Sequence, residues 1–498
     1  MQIMIQPMNF RTPTDQDIRT AFEHGEAAVR ELVYALVTQI EALVQHATKQ
    51  GEALHALQAR LAKDSSNSSK PPSSDGYRKV KRTESLRKSG TKPNGGQPGH
   101  EGHTLSASDH PDRIEMHRVE QCARCQASLV GIEVTGYEER QVFDIPAIRI
   151  EVTAHRAEIK VCPACGHPST GPFPDAVTHA VQYGPTVATW AAYFTNYHHI
   201  PVERTTEILD DLVQHRVSEA TVLKASEQLD SCIAPATAAV KEQLCTAEVL
   251  HVDESGVRVG GKLYWLHVAS TETLTHYEVH AKRGHEAMDA AGILGAFCGT
   301  AVHDHWRPYF RSTGCAHALC NAHHLRERQC IHKQYQQPWA NDMAELLGAI
   351  KAAVDKTPAP AVSLAPSQLE AFAQRYDEVV KAGMAANPRP VPQVAQRGRP
   401  KQPPPLNLAM RLHNCKALVL AFMYDFRVPF DNNQGERDIR MVKVKQKVSG
   451  GFRTLEGAQR FGRIRGYLST VRKHAKNVCE AIRDAFDGTP FIPSPETH

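Results

Sequence analysis

No stretch of this chain approaches the ~20 consecutive apolar residues that a membrane span needs, although 41% of its 498 residues are hydrophobic. Membrane-spanning classes are therefore not expected, and globular domains are. The start, Met1-Gln2-Ile3-Met4-Ile5-Gln6-Pro7, lacks a charged segment followed by a long apolar one. No signal peptide is expected, and the expected location is cytoplasmic. A large excess of one charge is also missing: the formal net charge is only +4. Its distribution says more, because positive charge gathers in residues 78–92 and 437–476. The 12 cysteines do not suggest a disulfide framework, since four of them form two Cys-x-x-Cys pairs. In a cytosolic chain that arrangement favours metal binding. The length exceeds one ordinary core, so roughly three or four domains are expected.

Residues 1–63 are expected to be an N-terminal helical domain, with one long helix over 15–63. Thr14 and Asp17 have the spacing of a capping box at its start. Val29, Val33, Leu36, Ile40, Leu43, Ala47, Leu54, Leu57 and Leu61 form a seam with alternating steps of four and three, and Gln50 interrupts it. Such a seam predicts a coiled coil and self-association; an amphipathic helix packed on its own protein is the plainer reading. Residues 64–104 cannot build a core. Ser, Pro and Gly clusters flank Arg78, Lys79, Lys81, Arg82, Arg87, Lys88 and Lys92, which suits a flexible basic tether that follows a phosphate backbone or is simply solvated.

Residues 105–175 hold Cys122-Ala123-Arg124-Cys125 and Cys162-Pro163-Ala164-Cys165. Each resembles a zinc knuckle, and alternating segments at 149–155 and 157–161 are expected as strands that bring the four thiolates to one structural Zn2+. His167 is an alternative ligand. Residues 176–240 are expected to be helical. One helix over 202–212 and another opened by Ser218 as N-cap suit a helix-turn-helix unit, and an ordinary helical hairpin equally.

Asp253 ends one apolar run and Asp304 another, while Glu436 heads a basic segment. Strand ends and a helix that converge can gather such acids around hard divalent cations. In residues 241–330 the expected order is strand, strand, strand, helix over 285–297, strand, with Gly260-Gly261 as the first hairpin turn. That order is how ribonuclease H-like nucleases begin, and it sets the first and fourth strands side by side. A fifth strand over 317–320 leads into a helix at Asn321. Residues 331–407 read as an Ala- and Pro-rich helical insertion, with helices near 339–354 and 367–382. Its Arg397-Gly398-Arg399-Pro400-Lys401 resembles an AT-hook core, or else a polar linker. Residues 408–490 complete the core.

The candidate DNA contacts are Arg437, Arg440, Lys443, Lys445, Lys447 and Arg453, because few acids offset them and they adjoin the acids. Gly450-Gly451-Phe452 suits a close approach of backbone to a strand. Cys315, His317, Cys320, His323 and His324 are metal-ligand types at close spacing, though His323 or Arg326 beside a phosphate is the preferred reading.

At these residues the chain resembles the IS66 family of insertion-sequence transposases. The motifs are Asn67-Ser68-Ser69-Lys70-Pro71-Pro72-Ser73-Ser74-Asp75, Gly95-Gly96-Gln97-Pro98-Gly99-His100, the paired Cys-x-x-Cys segments, His251-Val252-Asp253-Glu254, Cys320-Asn321-Ala322-His323-His324-Leu325-Arg326-Glu327, and Asp431-Asn432-Asn433-Gln434-Gly435-Glu436-Arg437. The resemblance implies a multi-domain α/β protein with a ribonuclease H-like core and a DDE triad of Asp253, Asp304 and Glu436 holding Mg2+ or Mn2+. It implies cleavage at transposon ends and strand transfer to target DNA. Glu254 and Asp438 are neighbouring acids outside the triad, and Asp431 suits a helix cap. The implied partners are DNA, a second copy at least, and accessory proteins encoded by the same element, with nucleoid association when DNA-bound. A ribonuclease H-like nuclease without strand transfer and a non-catalytic zinc-containing DNA-binding regulator are the alternatives.

Overall fold

The computed structural model describes residues 12–61, 105–389 and 402–495. The basic tether at 64–104 and the AT-hook-like segment lie outside the described residues. Among the described residues no helix is long and apolar enough to cross a membrane.

The N-terminal segment is two helices, α1 (Asp15–Glu23) and α2 (Glu26–Leu61), where one was expected. The capping box forms as anticipated: the Thr14 hydroxyl accepts the Asp17 amide, and the Asp17 carboxylate accepts the Thr14 amide at 2.8 Å. The break comes at Gly25, whose φ of +93° is left-handed backbone that stops a helix. Much of the α2 seam is exposed, with Val33 at 51% and Ile40 at 57%, while Val29 and Leu36 are half-buried.

In 105–175 the only strands are β1 (Ile159–Val161) and β2 (Pro168–Thr170), an antiparallel hairpin around the second knuckle. The strand expected over 149–155 does not form. Alternation alone makes no strand without a partner edge and a face to bury, and Val152 remains 87% exposed.

A helical group follows: α3 (Pro185–Ala192), α4 (Val202–Val213), α5 (Glu219–Cys232) and α6 (Ala234–Thr246). Ser218 caps α5 through the Thr221 amide, as its position predicts. The mixed sheet is built from β3 (Val249–Val259), β4 (Lys262–Ser270), β5 (Thr275–His280), β6 (Thr300–His303) and β7 (Ala316–Leu319). Its order is β5-β4-β3-β6-β7, antiparallel across the first three and parallel from β3 to β7. The first and fourth strands of the unit are neighbours, as expected. Gly260 and Gly261, with φ of +54° and +78°, make the tight turn between β3 and β4. Between β5 and β6, α7 (His285–Ala291) ends early at Gly292, whose φ is +64°, so the expected helix over 285–297 is cut to about half.

After β7 come α8 (Asn321–Tyr335), α9 (Pro338–Lys356), α10 (Pro366–Ala385), α11 (Pro404–Asn414), α12 (Lys416–Val419) and α13 (Ala421–Tyr424). The supposed insertion is no separate body. Its boundaries at 331 and 407 fall inside α8 and α11, and Trp339, Leu346, Ile350 and Tyr376 share one core with Leu319, Ile331, Leu412 and Leu420.

The chain closes with α14 (Asn433–Ser449), α15 (Leu455–Lys473) and α16 (Val478–Phe486). Residues of α6 and α7 pack one sheet face through Val240, Leu244, Val252 and Met288. Helices α14 and α15 cover the other, where Ile439, Val442 and Phe461 meet Val257, Leu266 and Val279. Each such side chain, fully buried, contributes roughly 1.5–3 kcal/mol. The segment at Gly450-Gly451-Phe452 does approach β3 closely: Phe452 donates to Arg258 O at 2.8 Å, and a Cβ on Gly451 would meet that oxygen at 3.0 Å.

Candidate active site

Strand register sets the first two acids. The parallel pairing of β3 with β6 runs Val249 with Thr300 to His251 with Val302. Continued two residues past that pairing, the same register leads to Asp253 and Asp304, and the field of Asp304 acts on Asp253. On the next pair, His303 faces Leu319, so Cys320 follows in the same row. Asp304 lies just past the end of β6, whereas Asp253 lies within β3, where it pairs with Val268 of β4; both keep partial exposure.

The third acid is carried in by α14. Just before that helix, buried Asn432 donates to Val252 O and pairs with His251 Nδ1, both at 2.8 Å, and its amide meets Cys320 Sγ at 3.1 Å. These bonds tie the head of α14 to β3 and to the end of β7. Glu436, one turn on, is partly exposed and accepts Arg326 at 2.7 Å. Asp431 was expected as the helix cap, but Asn432 occupies that position without a side-chain cap bond; Asp431, one residue earlier, accepts the Asn433 amide at 3.0 Å in a local turn.

Burial, followed by the fields of Glu254, Asp304 and Glu436, pushes the Asp253 carboxyl well above the usual range. Burial also raises Asp304, with the Trp306 amide and Arg283 pulling the other way. Acids gathered this way without enough cations of their own fit a hard divalent ion. Among the described residues, however, the three are not held within 4.8 Å of one another; the compact group of ligand types is Cys320, His323 and Glu436.

Glu254, the neighbour of Asp253, is engaged structurally. Its Oε1 accepts Arg283 Nη2 at 2.6 Å and Nε at 3.1 Å, and its Oε2 accepts the Tyr309 hydroxyl at 2.5 Å. The Arg283 guanidinium lies 4.8 Å from the Trp265 ring and 4.3 Å from the Trp306 ring. The Glu254 amide reaches Asp253 Oδ1 at 2.8 Å, and the Trp306 amide reaches Asp304 Oδ1 at 2.9 Å. The clasp thus lies next to both aspartates. Burial and Asp304 raise Glu254 to about 7 despite Arg283. Sequence reasoning missed Arg283, because nothing local marks a lone arginine as the partner of a distant buried acid. Asn432 appeared only as a letter in a motif. Asp438, the other neighbouring acid, is buried and pairs with Lys473 at 3.0 Å.

The basic residues divide. Arg437, Arg440 and Lys447 share one exposed stripe of α14 leading away from Glu436, and Arg453 is exposed beyond its end. Lys443 instead turns inward to Gly256 O at 3.0 Å, and Lys445 to Gly450 O at 3.0 Å with its ammonium 4.0 Å over Phe452. Burial lowers both amines to about 8. Contrary to the sequence impression, acids do offset much of α15: Arg463 bonds Asp230 at 2.8 Å, and Arg460 reaches Glu227 at 3.2 Å, both acids on α5. His323 is largely buried, with Nδ1 3.8 Å from Glu436. Of the wider cluster, His317 pairs with His303 at 3.1 Å, Cys315 lies against Ser312 O, and His324 bonds Asn321.

Each Cys-x-x-Cys forms a tight turn: Gln126 donates to Cys122 O at 2.9 Å, and Gly166 to Cys162 O at 2.8 Å. The Cys125 and Arg124 amides hold the Cys122 thiol below its ordinary range, and the Ala164 and Cys165 amides do the same for Cys162. That setting fits thiolate ligands. No three of Cys122, Cys125, Cys162 and Cys165 come within 4.8 Å of one another, so each pair is formed as a half-site. His167 is exposed, its carbonyl accepting the Cys162 amide.

Comparison with known families places these parts. Residues 180–460 match the family described as Transposase IS66 family. Residues 120–166 match the zinc-finger binding domain of transposase IS66, and residues 11–106 match a family of unknown function, DUF6444. No curated protein matches the chain.

Proposed function

The chain belongs to the IS66 transposase family, and from that premise we propose that it cuts DNA at the ends of its element and joins the freed strands to target DNA. Asp253, Asp304 and Glu436 are the acids on a ribonuclease H-like core. The observation that supports this reading is that Asp253 and Asp304 each lie two residues beyond the last pair of the β3–β6 ladder, with the fields of Asp304 and Glu436 both raising Asp253.

Divalent cations such as Mg2+ or Mn2+, when bound to these acids, supply an activated water and neutralise charge on a phosphate. The chain's own residues supply placement. Asp253 is oriented by the Glu254 amide and Asp304 by the Trp306 amide, next to the clasp of Glu254, Arg283 and Tyr309. Glu436 rides on a helix whose head is tied to the same strands by Asn432. Arg437, Arg440, Lys447 and Arg453 offer a cationic track for a phosphate backbone beginning at the acids. Arg326 and His323, beside Glu436, are the proposed contacts to the phosphate under attack. Water attack releases a 3′-hydroxyl at the element end, and that hydroxyl then attacks a target phosphorus, releasing a target 3′-hydroxyl in turn.

The zinc-finger match supports a structural Zn2+, for which Cys122, Cys125, Cys162 and Cys165 are the proposed ligands once the two half-sites close on one ion. The exposed part of the α2 seam supports pairing with a second copy, which suits a reaction that must hold two DNA ends. Accessory proteins encoded alongside are proposed as further partners.

The test is strand cleavage of labelled DNA carrying the element's end, with Mg2+ or Mn2+, by wild type and Asp253→Asn. Cleavage by wild type alone, exposing a 3′-hydroxyl, supports the reading. Equal cleavage by both removes Asp253 from the site. Tight end binding with cleavage by neither favours a DNA-binding role without catalysis.

A further inference from the structure

The first turn of α8 brings a different kind of ligand to Glu436. Cys320 precedes the helix and His323 follows one turn on, so the two share a face. One ligand atom from each of Cys320, His323 and Glu436 lies within 4.8 Å of the others. His323 Nδ1 is shielded from solvent and makes no hydrogen bond. The closest carboxylate oxygen, on Glu436, is 3.8 Å away. That is too long for a hydrogen bond. It suits two ligands of one tetrahedral ion, whose bonds of about 2.0–2.3 Å set ligand atoms roughly 3.3–3.8 Å apart. A buried orphan nitrogen needs a reason, and a metal ion is one. Cys320 Sγ already accepts the Asn432 amide at 3.1 Å, the sort of bond that steadies a metal-bound thiolate. Arg326 donates to the same Oε1 of Glu436 at 2.7 Å, and a carboxylate has lone pairs enough for both an arginine and an ion.

We propose that Cys320, His323 and Glu436 form a site for a thiophilic divalent cation of the Zn2+ class, and that filling it withdraws Glu436 from the acid row and stops cleavage. The second half rests on the catalytic reading of Glu436 above; the first half does not. Soft sulfur and imidazole ligands select Zn2+ over Mg2+, which prefers oxygen. On binding, the sulfur–metal bond replaces the Cys320 S–H bond and the proton leaves to solvent. The fourth position falls to water.

The experiment is titration of the full-length chain with Co2+, read by thiolate-to-cobalt absorption, together with Mg2+-dependent cleavage at rising Zn2+. Wild type should take up about two equivalents and Cys320→Ser, His323→Ala and Cys122→Ser/Cys125→Ser about one each. Cys320→Ser should need at least about tenfold more Zn2+ to halve cleavage. Cys320→Ser and His323→Ala that melt as cooperatively as wild type and bind as much Co2+ overturn the site. Loss of one equivalent in both variants, with no cleavage by any form, upholds the site and counts instead against the catalytic reading of Glu436.

Discussion

Asn432 joins three segments far apart in sequence, through Val252 O, His251 Nδ1 and Cys320 Sγ. Asn432→Ala leaves at least two buried polar groups without partners, at roughly 1–2 kcal/mol each. The expected loss is about 2–4 kcal/mol in urea unfolding, with Glu436 no longer held over the strand ends. Glu254 is only 3% exposed, so its charge depends on Arg283. Arg283→Met should destabilise by roughly 3 kcal/mol at pH 8 and by clearly less at pH 5, where the carboxyl takes up a proton. An equal loss at both pH values would mean that Arg283 acts through packing on Trp265 and Trp306 alone.

Elements were legible where a local signal governed them. The Gly260-Gly261 turn, the Ser218 cap and the Thr14 capping box all formed because each is decided within a few residues. Elements that depend on distant neighbours were not legible. The alternation at 149–155 found no partner strand, Lys443 and Lys445 were drawn inward by carbonyls at Gly256 and Gly450, and the α15 arginines met acids on α5. The same dependence makes α15 sensitive at Gly466, where a Cβ would lie 2.9 Å from Thr275 O. Gly466→Val should cost about 1–3 kcal/mol by lifting α15 from β5, visible as a lower thermal midpoint. For α2, Ile40→Asp with Leu43→Asp should convert an oligomer to monomer in sedimentation velocity. An unchanged sedimentation coefficient would assign the seam to some other contact.

At the scale of the whole molecule, burial holds nine histidines among the described residues below their ordinary value, namely His198, His199, His251, His267, His303, His305, His317, His323 and His324. They stay neutral in the fold and take up protons when it opens. Their contribution is complete above pH 6.5 and is lost as pH falls toward about 4, the value for His199, His267 and His305. Asp253, Glu254 and Asp304 are raised and act in the opposite sense, but they are fewer. The urea midpoint should therefore fall steadily from pH 7.5 to pH 4.5; a flat profile would mean that the acids balance the histidines. The row that joins Asp253 to Asp304 also has a temporal side. Between β7 and α14 the chain lays down all of α8 through α13, and only then does Glu436 arrive. During synthesis β3, β6 and β7 are therefore complete before any residue of α14 is made. A chain cut short in that interval keeps the two knuckles but lacks Glu436, the α14 cationic stripe and the α14–α15 cover of one sheet face, so on the proposed triad it would be inert.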